Sequence, residues 1–570
     1  MAFDNVLSVL GEFGIYQRRI CVLVILLWFP GAANVLSIVY LSVPADHWCS
    51  VSAWDSANCT ALSLSESECG DLKKRLSIPH NETEKGEPSY LQCYQYNVSG
   101  VSFQDAILED GGDSGQYDVI PCQHGWEHDR AWSEYTIEQQ FDLVCHRKYL
   151  VNLSQTIFFL GVFIGSFVFG ALADRIGRKV VIFLCVGIAV VFGTAAAFST
   201  SYVTFVVLRL VNAAACWGLI VVAPIIGTEF VGSSKRAYIG ILISLGFPGG
   251  YLYLTFLAYF IRNWRFLLLA LNLSFVPYFF FYPLILESFR WQLSMGRLKG
   301  AELTIKQAAK INKVSLPKST LEELQVWPRL GNTSISTKEK SREPNVTDLF
   351  RTPVLRVRTL ILVALWMTNN LIFYALHLST STFGVNVYMS FVISGVLEVV
   401  AICLCVFLVD SAGRRPTCIV SVIVAGLASF AVIPSPPGPV RAAMGLIGKF
   451  AIASSWAICG IYVIEVLPTQ LRSVGMGLCS TTSRVVAMAT PLLLLLAELW
   501  APAVLVMQGV IAVCTAFFLR LLPETKGKAL PDTLEEGENF CRDEPPMGCM
   551  PRTRRKRQKE DSSPTSDTKV

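Results

Sequence analysis

Charge is scarce in this chain. Asp, Glu, Lys and Arg make up 16% of it and 52% is hydrophobic, where soluble proteins carry about 25% charged residues. The mean hydropathy is +0.48. That balance excludes an ordinary soluble domain and implies a chain that crosses a membrane many times. Histidine is scarcer still, with six in 570 residues, and no cysteine or histidine spacing of the metal-binding kind occurs. No phosphate-cradling glycine loop and no hydrolytic constellation lies in the polar segments. Neither an enzyme nor a resident cofactor or metal is therefore expected. A cleavable leader is missing too. In MAFDNVLSVLGEFGIYQRR the basic pair Arg18 and Arg19 comes late, and no small-residue cleavage site follows nearby. The first apolar run is expected to stay as a spanning helix.

What the sequence does hold is a motif written twice. LADRIGRK runs from Leu172 to Lys179, and LVDSAGRR from Leu408 to Arg415. Asp174 and Asp410 are 236 residues apart; Gly177/Gly413, Arg178/Arg414, Glu229/Glu465 and Arg236/Arg472 keep that offset. Four residue types in one register indicate two halves of one design. Topology-setting charge accounts for the arginines, but acids contribute little to topology. Each Asp sits at a membrane edge beside a glycine turn and cations. There it can accept helix-end N–H groups or a cation from the other half. The expectation is a gating network of Asp174, Arg178, Glu229, Arg236, Asp410, Arg414, Glu465 and Arg472. It would tie two rigid bundles together at one membrane face and break at a cost of a few kcal/mol. Gly161, Gly165 and Gly170, ahead of the first motif, allow close approach of a neighbouring helix.

Twelve apolar runs suit a hydrocarbon core about 30 Å thick. They lie near 20–43, 152–172, 180–199, 202–225, 238–259, 265–285, 359–378, 388–409, 417–434, 440–463, 475–497 and 501–522. The fold class is an all-α membrane protein. It divides into a six-helix bundle over 1–285, a linker over 286–358, a second bundle over 359–522 and a tail over 523–570. The short-loop cations Arg175, Arg178, Lys179, Lys235, Arg236, Arg414, Arg415 and Arg472 fall on one side of such a chain, as do Arg18 and Arg19. Arg262, Arg265 and Arg441 are exceptions that do not reverse the count. That side is expected to be the cytosol, with both termini and the linker in it.

The 44–150 insert between the first two spans then faces outward, in the plasma membrane. Its six cysteines, Cys49, Cys59, Cys69, Cys93, Cys122 and Cys145, suggest three disulfides, with fifteen pairings open. Its sequons at Asn58, Asn81 and Asn97 are candidate glycosylation sites. The linker holds amphipathic stretches such as LEELQVW, suited to short helices on the membrane face. The tail carries RTRRKR, Arg552 to Arg557, either a solvated basic run or a contact for anionic head groups. Its end, with Thr568 and Val570, suits strand addition to a PDZ-domain protein.

Ionisable residues inside spans mark solute paths. Arg484 lies well within the eleventh run, in LCSTTSRVVAMATP. A buried guanidinium needs an anion, a cavity or water; a structural pair with an internal acid is the alternative. Glu398, in SGVLEVVAICLC, and Lys449, in IGKFAIASSW, are the other intramembrane charges of interest. Lys449 is either an anion contact or a structural cation.

The marks GEFGIYQRR, CQHGWEHDRAWSEYTIEQQFDLVC, LADRIGRK, NWRFLLLAL, ESFRWQLSMGR, RTPVLRVRTL, EVLPTQLRSVGMG and LLPETKGKALPDT cover roughly 8–533. Together they resemble the major facilitator superfamily. Within it they resemble the organic ion transporter family of organic cation, organic anion and carnitine/zwitterion carriers. The resemblance implies two six-helix bundles around a central cavity and an extracellular domain between the first two helices. At the Arg484 position it implies Arg in carriers of anions and carnitine-like zwitterions, and an acid in carriers of cations. At Glu398 it points instead to cation and zwitterion carriers. Anion carriers of the family tend to place a Lys one turn later, where this chain has Ile402, and Val400 stands where a proline is usual. Phe373 and Tyr374 fall where the family tends to have paired tyrosines, and Tyr462 matches a recurrent tyrosine before the acidic PT motif. Such rings can hold a quaternary ammonium or serve as ordinary packing.

Arg484, Glu398 and aromatics together suit a small solute bearing a carboxylate or both charges. The expected function is transport of small organic anions or zwitterions by alternating access. Organic cation transport is the runner-up, and a non-transporting receptor or adaptor of transporter shape is a third reading. Glu398 is the carboxylate that a coupling Na⁺ or H⁺ would meet, or it simply balances Arg484.

Overall fold

The computed structural model describes residues 7, 9–43, 46–51, 54, 65–82, 88–98, 100–109, 117–128, 135–317, 345–528, 531 and 534–540. Helix dominates, because in hydrocarbon each backbone N–H and C=O must be satisfied within its own segment. The spans are Ile15–Leu36, Tyr149–Ile176, Arg178–Ala197, Tyr202–Glu229, a fifth of Ser233–Ser244 and Gly246–Phe260, and a sixth that starts at Trp264. The second half repeats the plan with Pro353–Leu378, Val387–Ser411, Arg414–Val432, Pro439–Val466, Arg472–Leu493 and Ala503–Leu519. Among the described residues ten helices are long and apolar enough to cross a membrane. Of the other two, Arg472–Leu493 is diluted by Arg484 and its Ser/Thr run, and Ala503–Leu519 has only 17 residues. Span 6 changes from α-helix to a 3₁₀ stretch, Val276–Leu284, where Pro277 and Pro283 remove backbone donors.

Several boundaries move from the sequence expectation for one reason. Charged residues beyond the hydrocarbon stay helical until a breaker stops them. Span 2 runs past Asp174 and Arg175 to Ile176, and Gly177, at φ +113°, turns the chain into span 3. Gly413, at φ +101°, does the same between spans 8 and 9. That region of φ favours glycine. Span 7 starts at Pro353 rather than 359, so Arg356 and Arg358 lie inside it. A side chain on Gly161 or Gly165 would collide with the backbone of span 4 at Leu210 or Ala214, while Gly170 faces open space. Two of the three glycines therefore set the approach of spans 2 and 4.

The two halves meet through spans 2 and 11 and through spans 5 and 8. The insert is a small unit of its own on one membrane face. It has three two-stranded antiparallel sheets: His47–Cys49 with Trp126–His128, His80–Glu82 with Pro88–Tyr90, and Tyr94–Tyr96 with Val119–Pro121. A core of Trp54, Cys69, Val98, Phe103 and Ala106 is too small to hold it alone. Disulfides Cys49–Cys122 and Cys93–Cys145 staple it, and Cys69 is also disulfide-bonded. Cys59 and Asn58 lie outside the described residues, as does the Asn81 side chain; Asn97 is exposed. The helix Ile137–Phe141 seats the insert on the first bundle, with Phe141 against Tyr202, Phe205 and Trp264.

On the opposite face, helix Leu298–Asn312 is tied to span 1. Asn312 Oδ1 accepts from Tyr16 N at 2.8 Å and Nδ2 donates to Leu10 O at 2.8 Å. The chain after span 12 is not a free tail throughout. Glu538 accepts from the Val354 and Leu355 N–H groups at the start of span 7, and Arg358 donates to the Gly537 and Phe540 carbonyls. The LEELQVW stretch, the RTRRKR run, Thr568 and Val570 lie outside the described residues.

Candidate functional site

The repeated charges form two separate clusters, one per half. Arg178 reaches back one turn to Asp174 at 2.9 Å and across to Glu229 at 3.6 Å. Arg414 meets Glu465 through two contacts, at 3.0 and 3.2 Å, and Asp410 at 3.9 Å. Arg472 donates to the Leu467 carbonyl at 3.2 Å and the Pro531 carbonyl at 3.5 Å. The Arg236 side chain lies outside the described residues. The ion pairs seen for these candidates among the described residues each stay within one half. The geometry explains why. The glycine turn folds each arginine, first residue of the next helix, back over the end of the helix before it, where Arg178 donates to the Ala173 carbonyl and Arg414 to the Val409 carbonyl. Two acids complete the clusters and were missed in the sequence. Glu287 accepts from Arg178 N at 3.0 Å and Lys179 N at 3.2 Å. Glu524 accepts from Arg414 N at 3.0 Å and Arg415 N at 2.9 Å. Each carboxylate faces the open N-terminus of a helix, where the backbone donors and the helix dipole favour an anion. Glu287 and Glu524 are 237 apart, one off the common offset, which hid the pair.

The intramembrane candidates separate into three environments. Arg484 is 8% exposed and its guanidinium carbon lies 4.0 Å over the ring of Trp217, a residue of the other half on span 4. The Tyr374 hydroxyl lies beside it, and its Nε has no partner among the described residues. No carboxylate pairs with it among the described residues. Tyr374 in turn packs edge-on against Phe159 of span 2 at 4.7 Å, and Phe373 lies 5.9 Å from Phe247 of span 5. Arg484, Phe373 and Tyr374 therefore sit together on the seam between the halves. Glu398 is 7% exposed, and its carboxylate makes no hydrogen bond or ion pair among the described residues. Lys449 lies within its electrostatic reach. The lysine itself is committed to hydroxyls, donating to Thr380 Oγ1 at 2.8 Å and Ser394 Oγ at 3.1 Å, with Phe391 at 5.2 Å. Tyr462 does not join this group. It is fully buried and donates to the Pro523 carbonyl at 2.8 Å, so it ties span 10 to the end of span 12. Val400, where a proline is usual in the family resembled, is exposed and lies inside the unbroken helix of span 8.

Sequence reasoning overlooked the rest of the seam. Tyr40 stacks on Tyr388 and Phe391, both at 5.3 Å, joining span 1 to span 8. Tyr251 lies 5.7 Å from His377. The His377 ring is bonded through Nδ1 to the Phe373 carbonyl at 2.8 Å, while its Nε2 and the Tyr251 hydroxyl are buried without partners. His377 was legible, being the single one of six histidines inside a span. Trp217 was not, because one tryptophan in an apolar run carries no periodic signal.

A sequence profile for the family described as "Sugar (and other) transporter" matches residues 117–536. The Drosophila melanogaster "Organic cation transporter protein" is 32% identical over 547 residues, 95% of each chain. The mouse "Organic cation/carnitine transporter 2" is 32% identical, covering 94% of this chain and 93% of that one. Human "Solute carrier family 22 member 13" is 32% identical over the same shares. Among solved structures, the inward-open xylose transporter XylE from E. coli aligns with a TM-score of 0.57 at 18% identity, covering 71% of this chain and 93% of that one. The bundle plan expected from the repeat is thus the major facilitator fold. With its relatives transporters rather than enzymes, the chain belongs to the sugar (and other) transporter family and, within it, sides with the solute carrier family 22 proteins over nearly its full length.

Proposed function

We propose that this chain moves small organic anions or carnitine-like zwitterions across the plasma membrane by alternating access, with Arg484 as the contact for the solute's anionic group. One observation carries the reading: a guanidinium buried on the seam, held by aromatic groups and by no carboxylate. A buried charge without a counter-charge is expensive, and an anionic solute would supply the missing one. Phe373 and Tyr374 border the same place, and Glu398 supplies a negative group for a solute's ammonium end. In this scheme the insert is extracellular and glycosylated, both termini are cytosolic, and the 286–358 segment links the bundles in the cytosol. The basic C-terminal run and Thr568/Val570 are the contacts offered to head groups and a PDZ-domain protein.

A second reading, organic cation transport, is favoured by Glu398 and by the names of two relatives. Uptake into cells separates the two. Labelled organic anions, zwitterions and cations are compared for the wild type and Arg484→Gln at matched surface abundance. Loss of anion and zwitterion uptake with cation uptake kept supports the first reading. Cation uptake alone in the wild type overturns it. Replacing sodium and varying pH in the same assay, with Glu398→Gln alongside, shows which coupling ion the carriage uses.

A further inference from the structure

A cavity of about 590 Å³ opens in the insert, apart from the seam between the bundles. Its volume is in the range that holds small organic ligands. The walls come from Asp46 and His47, the turn at Cys93, the stretch from Pro121 to Trp126 and the stretch from Glu138 to Lys148 that leads into span 2. Cys93, Cys122 and Cys145 are wall residues and belong to the two disulfides described above, so the frame is cross-linked in place.

Glu138 is the unusual member of this wall. Its carboxylate makes no hydrogen bond and no ion pair among the described residues, although the residue is largely buried. Burial pushes its pKa up to about 7, with Lys148 pulling the other way. Acids kept for structure are normally satisfied by donors. This one faces a space large enough for a guest. Around it stand Asp46, which accepts from Gln92 Nε2 at 3.1 Å, the rings of His47 and His146, and the aromatic side chains of Tyr94 and Trp126. On the remaining sides of its short helix, Arg265 is engaged by Gln140 at 2.8 Å and His128 by Asp142 at 3.4 Å. Two acids against one lysine make the cavity negative at neutral pH.

We propose that the insert cavity is a binding site for a small organic ammonium, with Glu138 as its counter-charge and Tyr94 and Trp126 as its aromatic walls. A carboxylate beside ring faces is the arrangement that holds a weakly hydrated cation. A metal ion suits the place less well. The one group of ligand atoms that converges is His47, Cys93 and Cys145, and the two sulfurs are spent on a disulfide. The site lies outside the transport seam and does not rest on the reading given to Arg484.

The test is equilibrium binding of labelled tetraethylammonium to the purified full-length protein. That cation does not titrate, so any pH profile belongs to the protein. Binding is expected at pH 8 and should weaken at least tenfold by pH 6, as Glu138 takes up its proton. Glu138→Gln should lower affinity tenfold or more at pH 8 and flatten the profile, and Trp126→Leu should lower it several-fold. Glu138→Asp keeps the charge and should retain part of the affinity, which guards against a folding defect in the Gln variant. Affinity that survives Glu138→Gln, or that falls with Glu398→Gln instead, overturns the proposal. Loss of anion uptake in Arg484→Gln is a separate result and bears only on the transport reading.

Discussion

Trp217→Leu is the perturbation that tests most directly how the seam works. In the structure Trp217 and Arg484 come from opposite halves, 4.0 Å from ring centroid to guanidinium carbon, with 5% and 8% exposure. A cation over a ring is worth about 0.5–1 kcal/mol in water and about 2 when desolvated. These exposures place the pair in the second class. An anionic solute that takes Arg484 must displace this contact or share it, so removing the ring should favour the solute by up to about 2 kcal/mol. With tenfold per 1.4 kcal/mol, the apparent KM for an organic anion should fall by about tenfold to thirtyfold. Leu fills less space, and the lost packing will lower stability by about 2–3 kcal/mol, so uptake must be normalised to surface protein. The deciding measurement is a double-mutant cycle. Arg484→Gln removes the cation, and adding Trp217→Leu to it should then change KM by less than twofold. Additive effects in the double variant, or a KM that rises in the single one, would refute a direct contest between ring and solute.

Three further outcomes follow from other parts of the molecule. Glu465→Gln should lower thermal stability more than Glu229→Gln, because Glu465 takes Arg414 through two short contacts and accepts from Thr525, whereas Arg178 approaches Glu229 only to 3.6 Å, with Ser288 and Arg290 nearby. The difference should be about 1–3 kcal/mol, typical of charged hydrogen bonds, and paired melting curves in detergent read it. Asn97→Gln should remove one glycan-sized shift on a gel, since Asn97 is exposed on the insert; an unchanged band in cells would count against an outward-facing, modified Asn97. Glu138→Gln should stabilise the protein at pH 8 and not at pH 4.5. Folding raises this carboxyl to about 7 by burial, so the folded state holds the proton more tightly. The acid is then neutral at no cost below its unfolded pKa, and progressively destabilising as pH rises through about 7. The gain above that pH should be on the order of 1–3 kcal/mol, and a melting series across pH reads it.

The parts of this architecture visible in the sequence are those that repeat or alternate over many residues. Spans follow from apolar length, and the doubling follows from five residue positions in register. The insert's cross-linking follows from cysteine number, though not from spacing: the Cys93–Cys145 and Cys49–Cys122 pairings needed the fold. Arg484 was legible because a guanidinium in hydrocarbon is rare whatever surrounds it. Trp217, Tyr251 and Phe159 were not, since an aromatic inside a span is ordinary until its neighbour across the seam is known. Tyr462 shows the reverse error. Its motif position suggested a solute contact, yet its hydroxyl is held by Pro523 in the base of the second bundle. Lys449 illustrates a third case, a cation satisfied by two hydroxyls contributed by the neighbouring helix and loop, which no local pattern announces.

The two charge clusters bear on where resistance to opening would reside under the proposed alternating access. Each half closes its own base: Arg178 with Asp174, Glu229 and Glu287, and Arg414 with Asp410, Glu465 and Glu524. Asn312 fastens the start of span 1 and Glu538 the start of span 7. These ties stay inside one bundle, so rocking one bundle against the other leaves them intact and they act to keep each body rigid. Under the proposed alternating access it is the seam that must separate, and the contacts seen across it are mainly rings, with one guanidinium and a long hydrogen bond from the Tyr388 hydroxyl to the Ala258 carbonyl at 3.4 Å: Tyr40 with Tyr388 and Phe391, Tyr251 with His377, Phe159 with Tyr374, Phe247 with Phe373, Trp217 with Arg484. Ring pairs contribute about 0.5–1.5 kcal/mol each beyond the area they bury, and they lack the steep cost of stranding an unpaired charge. A seam of that kind can part and re-form repeatedly. Arg484 is the one charged member among them, and its burial without a carboxylate is the cost the closed seam carries; under the proposed function a solute anion would offset that cost.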